Sequence, residues 1–266
     1  MRKTVFIATL VSVLVLAFVA SAPAGNVLDR ILQRGELVVG TTGAQPPLNA
    51  TTKEGKIIGL DADIAKGIAM SMGVKIQFKT MPFAELLPAL HADKVDMILS
   101  SMTMTPERNL KVAFIGPYYI SGKGMLTKTQ TIATLQAAEN LNDPQLKIAT
   151  LNASTSQAFV EKAAPQAKLV TTKSYEEALG LLYVDKIDAL IADYPFCAFT
   201  AFRYRDKGLV AGQARLTFEP LGIAVKEDTL LINWLNNYMK MLDGSGRLRQ
   251  LNDRWFKNSS WIKDLR

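Results

Sequence analysis

Residues 93–100 read DKVDMILS, and residues 185–192 read DKIDALIA. In each stretch an Asp-Lys pair and a second aspartate lead into a short apolar run, which is the pattern of a turn followed by a buried strand. Because the same pattern occurs in both halves of the chain, we predict two lobes of similar topology. We expect the second aspartate of each stretch, Asp96 and Asp188, to cap the turn before its strand.

Helices and strands alternate outward from both stretches. Hydrophobic periodicity predicts strands over 37–40, 74–78, 95–99, 146–151, 167–171 and 187–192, and helices over 27–33, 61–72 (with Asp61 as N-cap), 83–91, 154 or 155–163, and 175–183. This alternation indicates an α/β fold with a mainly parallel sheet in each lobe. Ligands of such sheets bind beyond the carboxyl ends of the strands. Those ends would deliver Thr42, Ser100, Ser101, Leu151 and Asp193 to one cleft.

Composition excludes most familiar enzyme chemistries. The chain has 266 residues, 31 Lys and Arg, 24 Asp and Glu, one histidine, one cysteine and a net charge of +7. A single cysteine excludes a disulfide within the chain and a multi-cysteine zinc site, and one histidine makes a Ser-His-Asp triad unattractive. Neither a GxxxxGK[ST] loop nor a GxGxxG motif occurs. We therefore expect no metal and no cofactor.

The first 24 residues have the pattern of a secretory signal peptide. Arg2 and Lys3 precede a 15-residue apolar run, and small residues stand at −3 and −1 for cleavage after Ala24. Cleavage after Ala22 is the alternative, and an uncleaved membrane anchor is the competing interpretation. We expect export to the periplasm. We interpret the remaining positive charge as that of a basic surface exposed to solvent. We expect no nucleic-acid partner, because the sequence has no block of Lys and Arg with aromatic residues between them.

Arg108 is the first candidate for ligand contact. Thr105 is a good N-cap and Pro106 suits the first helical position, so Arg108 falls in the first turn, where a cation opposes the helix dipole. A planar guanidinium can instead bind a carboxylate with two hydrogen bonds, and Thr103 supplies a hydroxyl nearby. The alternative is an ordinary surface arginine paired with Glu107 or another acid.

Two further segments complement Arg108. Residues 152–157, NASTSQ, join a predicted strand to a helix, so the N–H groups around Thr155 could bind an anion or only cap the helix. Asp193 ends a buried strand, where it could cap a turn or bind a cation. Together Arg108 and Thr155 would bind a carboxylate and Asp193 an ammonium, which is the set of contacts that an α-amino acid requires.

At this level of detail the chain resembles the bacterial extracytoplasmic solute-binding proteins, family 3, of polar amino-acid ABC importers. The resemblance lies in GLDADIA at 59–65, SMTMTPER at 101–108, PYY at 117–119, LGIAV at 221–225 and residues 244–256. It implies a two-lobed type II periplasmic-binding fold that closes over its ligand and delivers it to a membrane ABC permease. The implied boundaries are 25–118 with 220–266 for lobe one, 123–215 for lobe two, and a two-strand hinge near 119–122 and 216–219.

The resemblance also implies roles for individual residues. Arg108 matches the carboxylate-binding arginine, Ser101 and Thr103 the positions beside it, Thr155 the carboxylate contact of lobe two, Asp193 the ammonium contact, and Phe83 an apolar wall. Two positions depart from the pattern. Gln45 stands where members often stack an aromatic ring, and no acid lies near Thr42, where members that bind basic amino acids often have one. We therefore expect a small or polar ligand rather than arginine or lysine.

Two alternatives accompany this interpretation. The chain also resembles periplasmic cyclohexadienyl dehydratases, at 28–32, 40–43 and 245–250. The resemblance implies a general-acid glutamate, but the matching position is Phe196, which has no proton to give; we therefore predict a binding protein, not an enzyme. The other alternative is a sensor that presents its closed form to a receptor kinase. We expect a monomer, and Glu219 to fix the hinge rather than contact the ligand.

Overall fold

The structure is a computed structural model that describes residues 26–135 and 138–266. The predicted signal peptide lies outside the described residues. The strands are β1 Glu36–Thr41, β2 Ala44–Gln45, β3 Asn49–Thr51, β4 Ile57–Ile58, β5 Lys75–Thr80, β6 Met97–Ile98, β7 Ala113–Ser121, β8 Lys123–Thr127, β9 Lys147–Leu151, β10 Lys168–Thr172, β11 Ala189–Asp193, β12 Val210–Ala211 and β13 Glu219–Val225. The helices are α1 Val27–Arg34, α2 Leu60–Met72, α3 Phe83–His91, α4 Pro106–Asn109, α5 Gln130–Ala133, α6 Thr155–Ala163, α7 Tyr175–Tyr183, α8 Tyr194–Arg203, α9 Thr229–Gly244 and α10 Arg247–Phe256.

Two five-stranded sheets form two lobes of the same design. The strand orders are β5-β1-β6-β13-β7 in lobe one and β10-β9-β11-β8-β12 in lobe two. In each sheet the first three strands are parallel, and the fourth joins them antiparallel. Apolar residues on helices and strands form three buried clusters against the two sheets, and one of these clusters includes residues of both lobes, such as Phe83 and Tyr175. The α/β class and the repeated topology predicted from the sequence are confirmed.

The two echoed stretches occupy equivalent places. Asp93 and Asp185 both adopt a left-handed backbone, each with φ of 54°, before the third strand of its sheet. The prediction that Asp96 and Asp188 cap this turn is wrong. Their carboxylates accept backbone N–H groups from the neighbouring strand, Val38 at 2.7 Å and Lys147 at 2.8 Å. Each aspartate therefore joins two strands at the edge opposite the cleft.

Helix α2 corrects a second local prediction. Gly59, not Asp61, is its N-cap residue, and no side chain caps the helix. Asp61 is buried, and its carboxylate accepts the side-chain N–H of Asn49 at 2.8 Å and the backbone N–H of Ser101 at 2.9 Å. The carboxylate therefore binds two donors that are distant in sequence and does not cap the helix.

The chain crosses between the lobes at two adjacent points. Strand β7 ends at Ser121 in the first sheet, and Lys123 begins β8 in the second. The return crossing ends at Glu219, which begins β13 and pairs with Ser121. The two crossing segments are in close contact at Gly122, since a Cβ built there would be 2.4 Å from the Thr217 carbonyl oxygen. Across residues 26–135 and 138–266, no helix combines the length and the apolar character that a membrane crossing needs.

Candidate functional site

The strand ends of the two lobes face each other across a small cavity of about 10 Å³. Seven residues singled out from the sequence line it: Gln45, Phe83, Ser101, Thr103, Leu151, Thr155 and Asp193. Lys123 also lines it. Of the five strand-end residues predicted to converge on one cleft, Ser101, Leu151 and Asp193 line this cavity, whereas Thr42 and Ser100 do not. Arg108 is not in the lining of this cavity, but its guanidinium contacts Thr103, which is. Thr42 lines a second cavity beside the first.

Helix α4 positions Arg108 as the sequence predicts. The Thr105 hydroxyl accepts the backbone N–H of Arg108 at 3.2 Å, and Pro106 takes the first helical position. The guanidinium is partly buried and lies 5.5 Å from the centre of the Phe83 ring. It donates to the carbonyl oxygen of Thr103 at 3.0 Å in lobe one and of Ala153 at 3.2 Å in lobe two. Arg108 therefore bridges the lobes.

The electrostatic surroundings of Arg108 differ from those of a surface arginine. Burial lowers the pKa of Arg108 from its ordinary value, and the carboxylates of Glu219 and Asp193 partly oppose this effect. Among the described residues, no carboxylate lies within 4.0 Å of its guanidinium nitrogens. A partly buried cation held by two carbonyl oxygens is suited to accept a ligand carboxylate.

The N-terminus of α6 faces Arg108 from lobe two. Ser154 is the N-cap, and its hydroxyl accepts the backbone N–H of Gln157 at 3.2 Å. Thr155 is therefore free of the capping role, and its hydroxyl lies 3.3 Å from the Thr103 hydroxyl of lobe one. It also donates to Glu219 Oε2 at 3.1 Å. The predicted carboxylate contacts of the two lobes thus meet directly.

Asp193 already holds an ammonium group, and that group belongs to the chain itself. Lys123 is only 2% exposed, and its Nζ lies 2.8 Å from Asp193 Oδ1 and 3.5 Å from Glu219 Oε2. Sequence reasoning missed Lys123. The available signal was a lysine in an otherwise apolar and small-residue strand, but its partner depends on the antiparallel register that sets Lys123 opposite Asp193.

Glu219 connects the cavity with the crossing strands. Burial alone would raise its pKa, but the Lys123 ammonium and hydroxyl groups of Thr103, Thr217 and Thr155 outweigh burial and hold the pKa below its ordinary value. Thr217 donates to Oε1 at 3.0 Å. The carboxylate is therefore charged at neutral pH, and its contacts agree with the predicted role in fixing the crossing.

A polar network behind the cavity supports lobe one. Thr42 Oγ1 lies 3.0 Å from Gln45 Oε1 and 2.9 Å from Asn49 Oδ1. Asn49 continues the network to Asp61, which holds Ser101 in a left-handed backbone with φ of 53°. Burial raises the pKa of Asp61 to about 6, although its hydrogen bonds act in the opposite direction. Thr42 and Gln45 are therefore tied into this network as well as lining cavities.

The second cavity adjoins the first and has a volume of about 320 Å³. Both are lined by Gln45, Phe83, Leu151 and Tyr175. The rest of the lining contains no aspartate or glutamate among the described residues: Thr42, Ala44, Thr80, Met81, Pro82, Lys173 and Ser174. Within the described part of the chain, Lys173 is therefore the one charged residue in a lining that is otherwise apolar or neutral.

Phe196, at the position where the dehydratase resemblance implies a general acid, is buried against Tyr175. The ring centres lie 4.1 Å apart with an angle of 21° between the planes. A phenyl ring packed in this way provides neither a proton nor a hydrogen bond to the cavity.

Three comparisons place this geometry among known proteins. The sequence model of the family described as "Bacterial extracellular solute-binding proteins, family 3" matches residues 37–258. The ABC transporter arginine-binding protein 1 of Escherichia coli K12 is 28% identical over 224 residues, which cover 82% of this chain and 89% of that protein.

Two solved structures share the fold over nearly their whole length. An ancestral amino acid-binding protein described as a precursor of cyclohexadienyl dehydratase is 35% identical, with a TM-score of 0.79, and the match covers 87% of this chain and 100% of that one. An ancestral arginine-binding protein bound to glutamine is 30% identical, with a TM-score of 0.79, covering 85% and 99%. The names of these similar proteins are those of binding proteins.

Proposed function

Because this chain belongs to the bacterial extracellular solute-binding proteins of family 3, we propose that it captures an amino acid, or a close chemical relative of one, and delivers it to an ABC importer. The mature chain begins at Gly25, after a signal peptide, and works in the periplasm. Its partners are the small ligand and a membrane permease, and it acts as a monomer because one closed molecule carries one ligand. The role proposed here is binding, with no catalytic step.

The bridge that Arg108 makes between the lobes carries this proposal. Its guanidinium contacts a carbonyl oxygen of each lobe, beside two threonine hydroxyls that are 3.3 Å apart. A ligand carboxylate at this place would replace carbonyl partners with a charged acceptor and would contact both lobes at once. Such a contact favours the closed form, because a ligand shifts an equilibrium only through its differential affinity for the two states.

Closure is proposed to occur about the two crossings. Lobe one comprises 25–118 and 220–266, lobe two comprises 123–215, and the hinge lies near 119–122 and 216–219. The ligand first meets Arg108, Thr103 and Ser101 in lobe one, with Phe83 as an apolar wall. Lobe two then adds Thr155 and Asp193, whose carboxylate is paired with the Lys123 ammonium. Gln45 and Thr42 shape the boundary between the small cavity and the larger one.

The ligand's side chain is proposed to enter the larger cavity. A cationic side chain would find Lys173 there and no acid among the described lining residues. Because a buried charge without a partner is costly, this arrangement disfavours arginine and lysine as ligands. The sequence led to the same expectation, since it has no acid near Thr42. A neutral side chain avoids the cost.

Thermal unfolding of the mature protein, refolded to remove carried-over ligand, tests this function. Each standard amino acid, its 2-oxo and 2-hydroxy counterparts, and prephenate are added separately. A ligand at 100 times its Kd adds about 2.7 kcal/mol to the unfolding free energy, which corresponds to a rise of about 5–10 °C in Tm for a chain of this size. A shift with a few related compounds is the expected result.

No shift with any of these carboxylates would contradict the proposed ligand class. Conversion of prephenate to phenylpyruvate by the purified protein would replace the binding role with an enzymatic one.

A further inference from the structure

Lys123 occupies the position that an amino acid's ammonium would need. The ammonium contact implied for the site is Asp193, yet Lys123 Nζ lies 2.8 Å from its Oδ1. The lysine is among the largest fully buried side chains in the described part of the protein. A lysine is almost never buried unless it is paired, so Asp193 and Glu219 are required by the protein before any ligand binds.

The backbone and its neighbours fix this lysine in place. Its backbone N–H donates to the Thr217 hydroxyl at 3.0 Å, and the same hydroxyl donates to Glu219 Oε1 at 3.0 Å. Strand β8 lies between β11 and β12, with Lys123 paired to Asp193 across the sheet. Lys123 is therefore fixed by its own strand, by the neighbouring strand β11 and by the crossing segment, unlike a mobile lysine on the surface.

The charges of the site are balanced without a ligand. Arg108 and Lys123 are positive, and Asp193 and Glu219 are negative. A zwitterion would add no net charge, so electroneutrality alone does not exclude an amino acid. Geometry does discriminate, because a second ammonium on Asp193 would lie beside the buried ammonium of Lys123, and like charges repel strongly away from bulk solvent.

Lys123 can instead donate to a ligand. An ammonium has three donors, of which one is used by Asp193 while Glu219 lies 3.5 Å away. The side chain also lines the small cavity. A hydrogen bond from Lys123 therefore requires an acceptor oxygen on the ligand where an amino acid has a donor.

We propose that Lys123 replaces the ligand's ammonium and selects a small carboxylate with an oxygen at C2, a 2-oxo or 2-hydroxy acid. This inference rests on the proposed function and specifies its ligand class. The carboxylate binds Arg108, the C2 oxygen accepts a hydrogen bond from Lys123, and an uncharged side chain enters the larger cavity. Lys123 is thus the specificity-determining residue of the site.

Matched sets of compounds that differ only at C2 test the inference in the unaltered protein. One set is phenylalanine, phenylpyruvate and phenyllactate; another is leucine, 2-oxoisocaproate and 2-hydroxyisocaproate; a third is alanine, pyruvate and lactate. Calorimetry should show that an oxo or hydroxy acid binds more tightly than its amino acid by about 10- to 100-fold, the usual range for a hydrogen bond to a charged group.

Two substitutions at Lys123 extend the test. Lys123→Gln and Lys123→Met remove the internal ammonium, so they should weaken oxo-acid binding by tenfold or more and strengthen binding of the matching amino acid, whose ammonium then pairs with Asp193. Lys128→Met is the control, because Lys128 follows the same strand but pairs with Asp185 on the surface. It should leave both affinities unchanged.

The outcomes separate this inference from the proposed function. If amino acids bind the unaltered protein as tightly as their oxo counterparts, the role of Lys123 is refuted while the binding function stands. If no member of any set binds, the proposed ligand class fails, and the inference fails with it. The comparison in the unaltered protein decides the question even if neither Lys123 variant folds.

Discussion

Replacing Arg108 with alanine should abolish tight ligand binding while leaving the fold intact. The helix cap at α4 uses the backbone N–H of Arg108, which donates to Thr105 at 3.2 Å and is kept in any variant but proline. The side chain contributes the two carbonyl contacts and the position over Phe83. Loss of the side chain therefore removes the cationic partner of the ligand carboxylate but leaves the N-cap of α4 in place.

The magnitude follows from leaving the ligand carboxylate unpaired inside the closed cleft. Truncating one partner of a buried, hydrogen-bonded charge pair costs about 2–5 kcal/mol, which raises Kd by about 30-fold to several thousand-fold at 1.4 kcal/mol per decade. Arg108→Lys keeps the charge but not the planar fork, so its Kd should lie between those of the unaltered protein and the alanine variant.

Calorimetry with a ligand identified by thermal shift measures these affinities, and circular dichroism checks folding. Arg249→Ala is the matched control, because this arginine is exposed on α10, away from the cavity. A Kd for Arg108→Ala within threefold of the unaltered protein would refute the carboxylate role, as would an equal loss in the Arg249 variant.

Two stability predictions test the supports of the site. Burial raises the pKa of Asp61 to about 6 from an ordinary value of 3.8, so the folded state binds a proton more tightly than the unfolded state. The unfolding free energy should therefore fall by about 3 kcal/mol in total as pH rises from below 3.8 to above 6, and then level off. Asp61→Asn should flatten this dependence in urea unfolding measured between pH 4 and 7.5, and an unchanged slope would contradict it. Gly122→Ala should lower Tm by several degrees, because its Cβ would meet the Thr217 carbonyl oxygen at 2.4 Å. Gly180→Ala, in the middle of α7 with open space around it, should instead leave stability unchanged or raise it by up to about 1 kcal/mol; equal effects of the two substitutions would refute the close approach at the crossing.

Local signals predicted the regular elements well. Helices 83–91 and 175–183 begin and end in the structure where the periodicity places them. Gly35 ends α1 in a left-handed conformation, with φ of 67°, as a glycine after a helix is expected to do. These features depend on residues that are neighbours in sequence. The alternation of such elements was enough to predict the sheets and the cleft at their strand ends.

The errors occur where a polar side chain has a distant partner. Asp61, Asp96 and Asp188 each have a sequence context typical of a cap, yet each binds a group on another element. Lys123 and Asp193 are 70 residues apart, and only the antiparallel register brings them opposite each other. A sequence pattern favours hydrogen-bond partners that are close along the chain, because it contains no information on the register between strands.

The position of Lys123 would link ligand recognition to the proposed closure of the lobes. Lys123 is the first residue of β8 after one crossing, and Glu219 is the first residue of β13 after the other. Thr217 contacts both, through the backbone N–H of Lys123 and the carboxylate of Glu219. Lys123 and Asp193 are paired in the same sheet, so a rotation of the lobes about the crossings would move both together relative to Arg108 in lobe one. Because the cation that the ligand would meet lies at the proposed hinge, the proposed ligand class and the proposed closed form constrain each other.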